Sequence, residues 1–164
     1  MTLADILQRN PTFSSLDTGD RQVLERALCV RGYPRGHRFT EQGRRVDAMY
    51  LIIDGKVGFS QRGENGKRRP GCKVIRAGEV IGLVSLMDHG PATGTCRALT
   101  QVTAASLPRD AFALLLSTHA EIGRHFQRIV ALQLAFHLHM DARRAAQAIS
   151  AHDARTIRMR ARRK

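Results

Sequence analysis

Hydrophobic and polar residues follow different periodicities along the chain, and each periodicity predicts a different element. Apolar residues recur at helical spacing over residues 19–28, which predicts an amphipathic helix. Over residues 29–107, short apolar runs punctuated by glycines predict antiparallel strands in a roll or jelly-roll. The most hydrophobic run covers residues 49–53, and Asp54 with Gly55 predicts a tight hairpin into the next strand. Beyond these strands the helical spacing returns.

A long helix with two apolar stripes is predicted in the C-terminal part of the chain. The members of the first stripe are three or four residues apart: Ile122, Phe126, Ile129, Gln133, Phe136 and Met140. Val130, Leu134 and Leu138 form a second stripe beside it. A helix that is apolar over so wide an arc buries two faces. Either one stripe packs on the roll and the other on a second copy, or both pack internally. We assign the first stripe to the interface of a homodimer.

The candidate ligand site is a glycine-flanked segment between the last strands. Glycine lets the backbone approach a ligand closely, and a short helix beginning near Gly82 directs N–H groups at an anion. The segment contains neither Gly-Lys-Ser/Thr nor GxGxxG, which excludes the common phosphate-binding loops. The predicted ligand-binding residues are Gly78, Glu79, Val80, Ile81, Gly82, Leu83, Val84, Ser85, Ala92, Thr93 and Gly94.

This segment and its flanking motifs together resemble the cyclic-nucleotide-binding β-roll of the CRP/FNR transcription regulators. The flanking motifs lie at residues 33–43, 49–57 and 97–112, and the resemblance extends from about residue 13 to about residue 141. It implies an α+β fold: an antiparallel double-stranded β-helix, or jelly-roll-like β-roll, with short N-terminal helices. It also implies that the long C-terminal helix mediates dimerisation.

The sequence departs from this family at the two positions that contact cyclic AMP. Family members that bind cyclic AMP carry an acid just after the second glycine, for the ribose hydroxyl, and an arginine after the glycine-containing turn, for the cyclic phosphate. Leu83 and Ala92 occupy these positions. Glu79 precedes Gly82 by three residues and Arg97 follows Ala92 by five, so neither replaces the missing group.

The resemblance and this departure together predict a sensory or regulatory domain with a degenerate nucleotide pocket, acting in transcriptional signalling. Its effector would be a small anion or a nucleotide, and no cofactor is predicted. One alternative is a functional cyclic-nucleotide binder with altered contacts. The other is a non-sensing dimeric adaptor that presents a basic tail to nucleic acid or to a protein.

Basic residues are concentrated at the C-terminal end. From residue 141 onward there are eight Lys or Arg and two Asp or Glu, so this segment carries +6 of the net charge of +13. We expect a β-roll domain at 1–118, the long helix at 119–141 and a basic helical or disordered tail at 142–164. The tail is too short for the winged helix-turn-helix of the family, so the chain is either a truncated regulator or a stand-alone domain. The candidate contacts to DNA or another polyanion are Arg155, Arg158, Arg160, Arg162, Arg163 and Lys164.

Composition excludes several other classes of protein. Three widely spaced cysteines, no signal-like N-terminus and no apolar run long enough to span a bilayer predict a cytoplasmic protein with reduced thiols and no membrane contact. The histidines lack the spacing of metal ligands, and no nucleophile accompanies a recognisable base. The sequence therefore predicts no metal site, no catalytic residue and no enzymatic activity.

Overall fold

The computed structural model describes residues 2–10, 13–63, 73–132, 134 and 135. The chain divides into two compact units, Met1–Gln127 and Arg128–Lys164. All helices and strands named below belong to the described residues.

Two short helices precede the strands, and each begins at a side-chain cap. Helix α1 covers Leu3–Arg9, and a reciprocal capping box starts it. In this box the N–H of Asp5 donates to Oγ1 of Thr2 at 3.1 Å, and the N–H of Thr2 donates to the Asp5 carboxylate at 2.9 Å. Helix α2 covers Thr18–Ala27 and is capped by Asp17. The predicted amphipathic helix over residues 19–28 is therefore confirmed.

Antiparallel strands in two four-stranded sheets make up most of the described chain. Their bounds are β1 Cys29–Tyr33, β2 Arg38–Thr40, β3 Ala48–Asp54, β4 Val57–Ser60, β5 Lys73–Ile75, β6 Val80–Ile81, β7 Thr95–Ala98 and β8 Val102–Pro108. The strand order is β1-β8-β3-β6 in one sheet and β2-β7-β4-β5 in the other. With the helices, this arrangement confirms the predicted α+β fold built on an antiparallel β-roll.

Both sheets contribute to one hydrophobic core. The buried members of this core are Phe39, Ile52, Val57, Ile75, Ile81, Cys96, Ala98, Val102 and Ala104. The side chains of Tyr33, Tyr50 and Phe59 are partly buried and pack against it. Phe59 lies on β4, which pairs with β5 and β7, the strands before and after the candidate site.

The turn at Asp54 and Gly55 does not form the hairpin that the sequence predicts. Strand β3 pairs with β6 and β8, whereas β4 pairs with β5 and β7, so the turn carries the chain from one sheet into the other. Gly55 has a φ of +94°, and a Cβ at this position would lie 2.4 Å from the carbonyl oxygen of Gln101. The local signal for a turn was right, and the predicted strand pairing was wrong.

Three further helices complete the described part of the chain. Helix α3 covers Leu83–Met87, helix α4 covers Arg109–Thr118, and residues 120–132 form another helix. Among the described residues, no helix combines the length and hydrophobicity that crossing a membrane requires.

Candidate ligand-binding site

The glycine-rich segment is held in a conformation that favours glycine. Gly78 and Gly82 have φ values of +87° and +82°. A Cβ on Gly82 would lie 2.8 Å from the carbonyl oxygen of Ala48, which is too close for any side chain. Gly82 is the N-cap of α3, a helix of five residues. The short helix predicted to start near Gly82 is therefore present.

Several predicted residues of this segment serve the fold. Val80–Ile81 form β6, which pairs with β3. The carbonyl of Val84 accepts the N–H of Asp88 at 3.0 Å, which closes the end of α3. The Oγ of Ser85, a buried side chain, donates to the carbonyl of Pro91 at 3.3 Å. This last bond brings α3 next to the segment that contains the other predicted ligand contacts.

The two positions that define the family's cyclic-nucleotide contacts are apolar and buried. The Leu83 side chain is 1% exposed, and Ala92 is 5% exposed. The N–H of Ala92 donates to the carbonyl of Arg44 at 2.8 Å, and its own carbonyl accepts the N–H of Gly43 at 2.9 Å. Position 83 therefore offers no acceptor for a ribose hydroxyl, and position 92 offers no cation for a phosphate.

Side chains of other strands hold the residues that follow Ala92. The side-chain amide of Gln61 donates to the carbonyl of Thr93 at 2.9 Å. The hydroxyl of Thr40 donates to the carbonyl of Gly94 at 3.0 Å. A Cβ on Gly94 would lie 2.4 Å from Cε2 of Phe59, so the Gly94 backbone lies directly against the Phe59 ring. The segment over residues 91–94 is therefore fixed beside β4.

The carboxylate of Glu79, the predicted acidic member of the site, makes two contacts within the protein. One oxygen accepts the backbone N–H of Arg76 at 2.8 Å. The other lies 2.8 Å from Nζ of Lys73, and the two side chains are 38% and 50% exposed. Glu79 thus closes the loop between β5 and β6 and neutralises a lysine.

Sequence reasoning missed Lys73, which begins β5. Its register partner is Phe59 on β4, Phe59 is paired with Cys96 on β7, and Cys96 is paired with Thr40 on β2. Directly paired residues share one face of a sheet. Cys96 and Thr40 are buried, so this face of the sheet points into the roll, and Lys73 lies at the exposed end of the row on the same face. Strict alternation along β5 was the available signal, since Ile75, two residues after Lys73 and on the same face, is buried.

The charge of Lys73 affects the pKa of the buried Cys96 thiol. Burial raises the pKa of Cys96 above its usual value. A hydrogen bond from Thr40 and the positive charge of Lys73 act in the opposite direction and lower it. Burial is the larger effect, so the thiol stays protonated at neutral pH.

The described members of the first apolar stripe of the long helix are buried. Ile122 and Phe126 are both 0% exposed, and the ring of Phe126 lies 5.4 Å from that of Phe112 on α4. Ile129 is also buried. These side chains have almost no surface left for a partner, so assigning them to a dimer interface was wrong. Other predicted contacts lie outside the described residues: Gln133, Phe136, Met140, Arg155, Arg158, Arg160, Arg162, Arg163 and Lys164.

Residues 30–119 match the family described as "Cyclic nucleotide-binding domain". The CRP-like cAMP-activated global transcriptional regulator of Mycobacterium tuberculosis is 29% identical over 130 residues, which cover 79% of this chain and 58% of the regulator. The cAMP-dependent protein kinase regulatory subunit of Aspergillus fumigatus is 32% identical over 118 residues, 72% of this chain and 28% of the subunit. The chain thus spans well under two thirds of either relative.

A solved structure has the same fold over nearly its whole length. It is the N-terminal domain of a transcriptional regulator from Streptomyces coelicolor A3(2), with a TM-score of 0.65 and 30% sequence identity. The match covers 80% of this chain and 91% of that domain. These relatives are named as transcriptional regulators and as a regulatory subunit.

Proposed function

Because the chain belongs to the cyclic nucleotide-binding domain family, we propose that it is a regulatory domain whose pocket lacks the two usual contacts to cyclic AMP. The observation that carries this proposal is the pair Leu83 and Ala92, which are apolar and 1% and 5% exposed. Neither side chain can accept a hydrogen bond from a ribose or neutralise a phosphate.

The expected loss of affinity follows from the missing hydrogen bonds. A hydrogen bond to a charged group contributes about 1.5–3 kcal/mol, so two of them contribute about 3–6 kcal/mol. This corresponds to a dissociation constant weaker by about two to four orders of magnitude. Glu79 does not restore the ribose contact, because its carboxylate already binds Lys73 and the N–H of Arg76.

The cellular role that fits best is transcriptional signalling. The mycobacterial relative is named as a cAMP-activated transcriptional regulator, and the Streptomyces structure is the N-terminal domain of another regulator. In this proposal the roll responds to a ligand other than cyclic AMP, or responds to cyclic AMP only weakly, and the response passes to a further part of the regulator. DNA contact through the tail at 142–164 stays a prediction.

Calorimetric titration with cyclic AMP and cyclic GMP tests the pocket. We expect the unmodified chain to bind both nucleotides weakly, with dissociation constants well above micromolar. Ala92→Arg should tighten binding of cyclic AMP, whereas Ala92→Gln, which adds similar length without charge, should not. Circular dichroism of both variants controls for folding, because Ala92 is buried. Micromolar or tighter binding by the unmodified chain would contradict the proposal.

We also propose that the chain forms a homodimer through the second stripe of the long helix. Support comes from Leu134, a large apolar member of this stripe, which is 45% exposed. Val130, four residues before Leu134 on the same face, is also partly exposed, and an apolar stripe exposed along one helix face favours contact with a second helix.

A further inference from the structure

Lys73, which pairs with Glu79 of the candidate site, is a cation that the family resemblance does not predict. Lys73 lies in the cross-strand row with Phe59, Cys96 and Thr40, on the face of the sheet that points into the roll. Gly94 packs on the ring of Phe59. Lys73 is thus the next residue in this row, on the other side of Phe59 from Cys96.

Arg97, the arginine that follows this segment on β7, points away from the interior. Arg97 follows Cys96 on β7 and is exposed, whereas Cys96 is 3% exposed. Since successive side chains of a strand alternate between faces, Arg97 lies on the outer face of the sheet. Its register partners there are Gly58 and Arg38. Arg97 therefore cannot supply the charge that position 92 lacks.

The counter-ion of Lys73 is exchangeable. Nζ of Lys73 lies 2.8 Å from Oε1 of Glu79, and the two side chains are 50% and 38% exposed. An ion pair this exposed contributes little net stability, because water solvates both charges when they separate. The second oxygen of Glu79 stays bound to the N–H of Arg76, so the carboxylate has a partner when the lysine leaves. An incoming anion can therefore take the place of Glu79 on Lys73.

We propose that Lys73 is the cationic contact for the anionic group of the ligand of this roll, and that Glu79 is its counter-ion when no ligand is bound. The ligand class is a small organic anion, a phosphate ester or a carboxylate, with an apolar part that packs beside Phe59. The inference rests on the proposed function, because it takes Ala92 to supply no charge.

Titration of the full chain with cyclic AMP, inorganic phosphate and uncharged adenosine tests this role. Lys73→Met should weaken binding of the anionic probes by about tenfold to a hundredfold, the effect of one charge-assisted hydrogen bond. Binding of adenosine should not change. Lys56→Met is the matched control, because Lys56 is an exposed lysine that directly precedes β4, and it should bind like the unmodified chain.

A second variant predicts a change in the opposite direction. Glu79→Gln removes the competing carboxylate and should tighten binding of cyclic AMP and phosphate. Equal binding by the unmodified chain and Lys73→Met would overturn the inference, and so would failure of the unmodified chain to bind either anionic probe at millimolar concentration. Micromolar or tighter binding of cyclic AMP by the unmodified chain would contradict the proposed function and not the role of Lys73, which is judged by detectable millimolar binding of an anionic probe and by the ratio between variants.

Discussion

Replacing Gly55 with alanine tests the crossing between the two sheets. Gly55 has a φ of +94°, which costs an L-residue about 1–2 kcal/mol. The added Cβ would also lie 2.4 Å from the carbonyl oxygen of Gln101 and 3.0 Å from Cα of Val102. Both are backbone atoms, so relief requires movement of the main chain, at a cost of about 1–3 kcal/mol. We expect a total loss of about 2–5 kcal/mol in the free energy of unfolding.

Gly36→Ala provides the matched control. Gly36 has a φ of +88°, but nothing lies within 4 Å of the position its Cβ would occupy. The Gly36→Ala variant should therefore lose only the conformational cost of the positive φ, about 1–2 kcal/mol in the free energy of unfolding. Urea denaturation followed by circular dichroism measures both variants. Equal losses for the two variants, or a Gly55→Ala protein as stable as the unmodified chain, would refute the argument from close backbone contact.

Two further predictions concern the long helix and the N-terminal cap. Exchanging both Val130 and Leu134 for Glu should convert a dimer into a monomer in sedimentation equilibrium, and an unchanged dimer would rule out the second stripe as the interface. Hydrogen bonds from the backbone and the hydroxyl of Thr2 lower the pKa of Asp5. The contribution of Asp5 to the free energy of unfolding is therefore complete above about pH 4 and disappears as the pH falls through the lowered pKa of Asp5. Asp5→Asn should destabilise the protein at neutral pH and not in strong acid; equal destabilisation at both would contradict this.

Local features of the fold were predictable from the sequence because their signals are local. Helical periodicity located α2, since it acts within one or two turns. Glycine at positions 55 and 82 correctly marked sharp changes of direction, because each φ is positive there. The strand partners of β4 were not predictable, since they lie far away in sequence and nothing in the Asp54–Gly55 turn encodes them.

The assignment of stripes on the long helix failed for a related reason. Periodicity indicates that two faces are apolar but not which face meets the rest of the same chain. The contact of Phe126 with Phe112 shows which face is buried. The sequence alone does not show that these two helices pack against each other. Large aromatic side chains favour burial, so the aromatic ring of Phe126 was a clue that this part of the first stripe is buried.

The candidate site was predictable in its position and only partly in its chemistry. Family resemblance located the segment from Gly78 to Gly94 and the two substituted positions. It did not indicate Lys73, because the interior direction of that side chain depends on the register of β5 against β4. The contact between Lys73 and Glu79 likewise requires the loop between their strands to close.

The dissociation constant of the unmodified chain for cyclic AMP tests the central claim most directly. With Leu83 and Ala92 both buried and apolar, we expect a value weaker than micromolar by calorimetry at physiological salt. A micromolar or tighter value would show that other groups of the roll bind the ribose and the phosphate, and the pocket would then have to be described as a functional cyclic-nucleotide site with altered contacts.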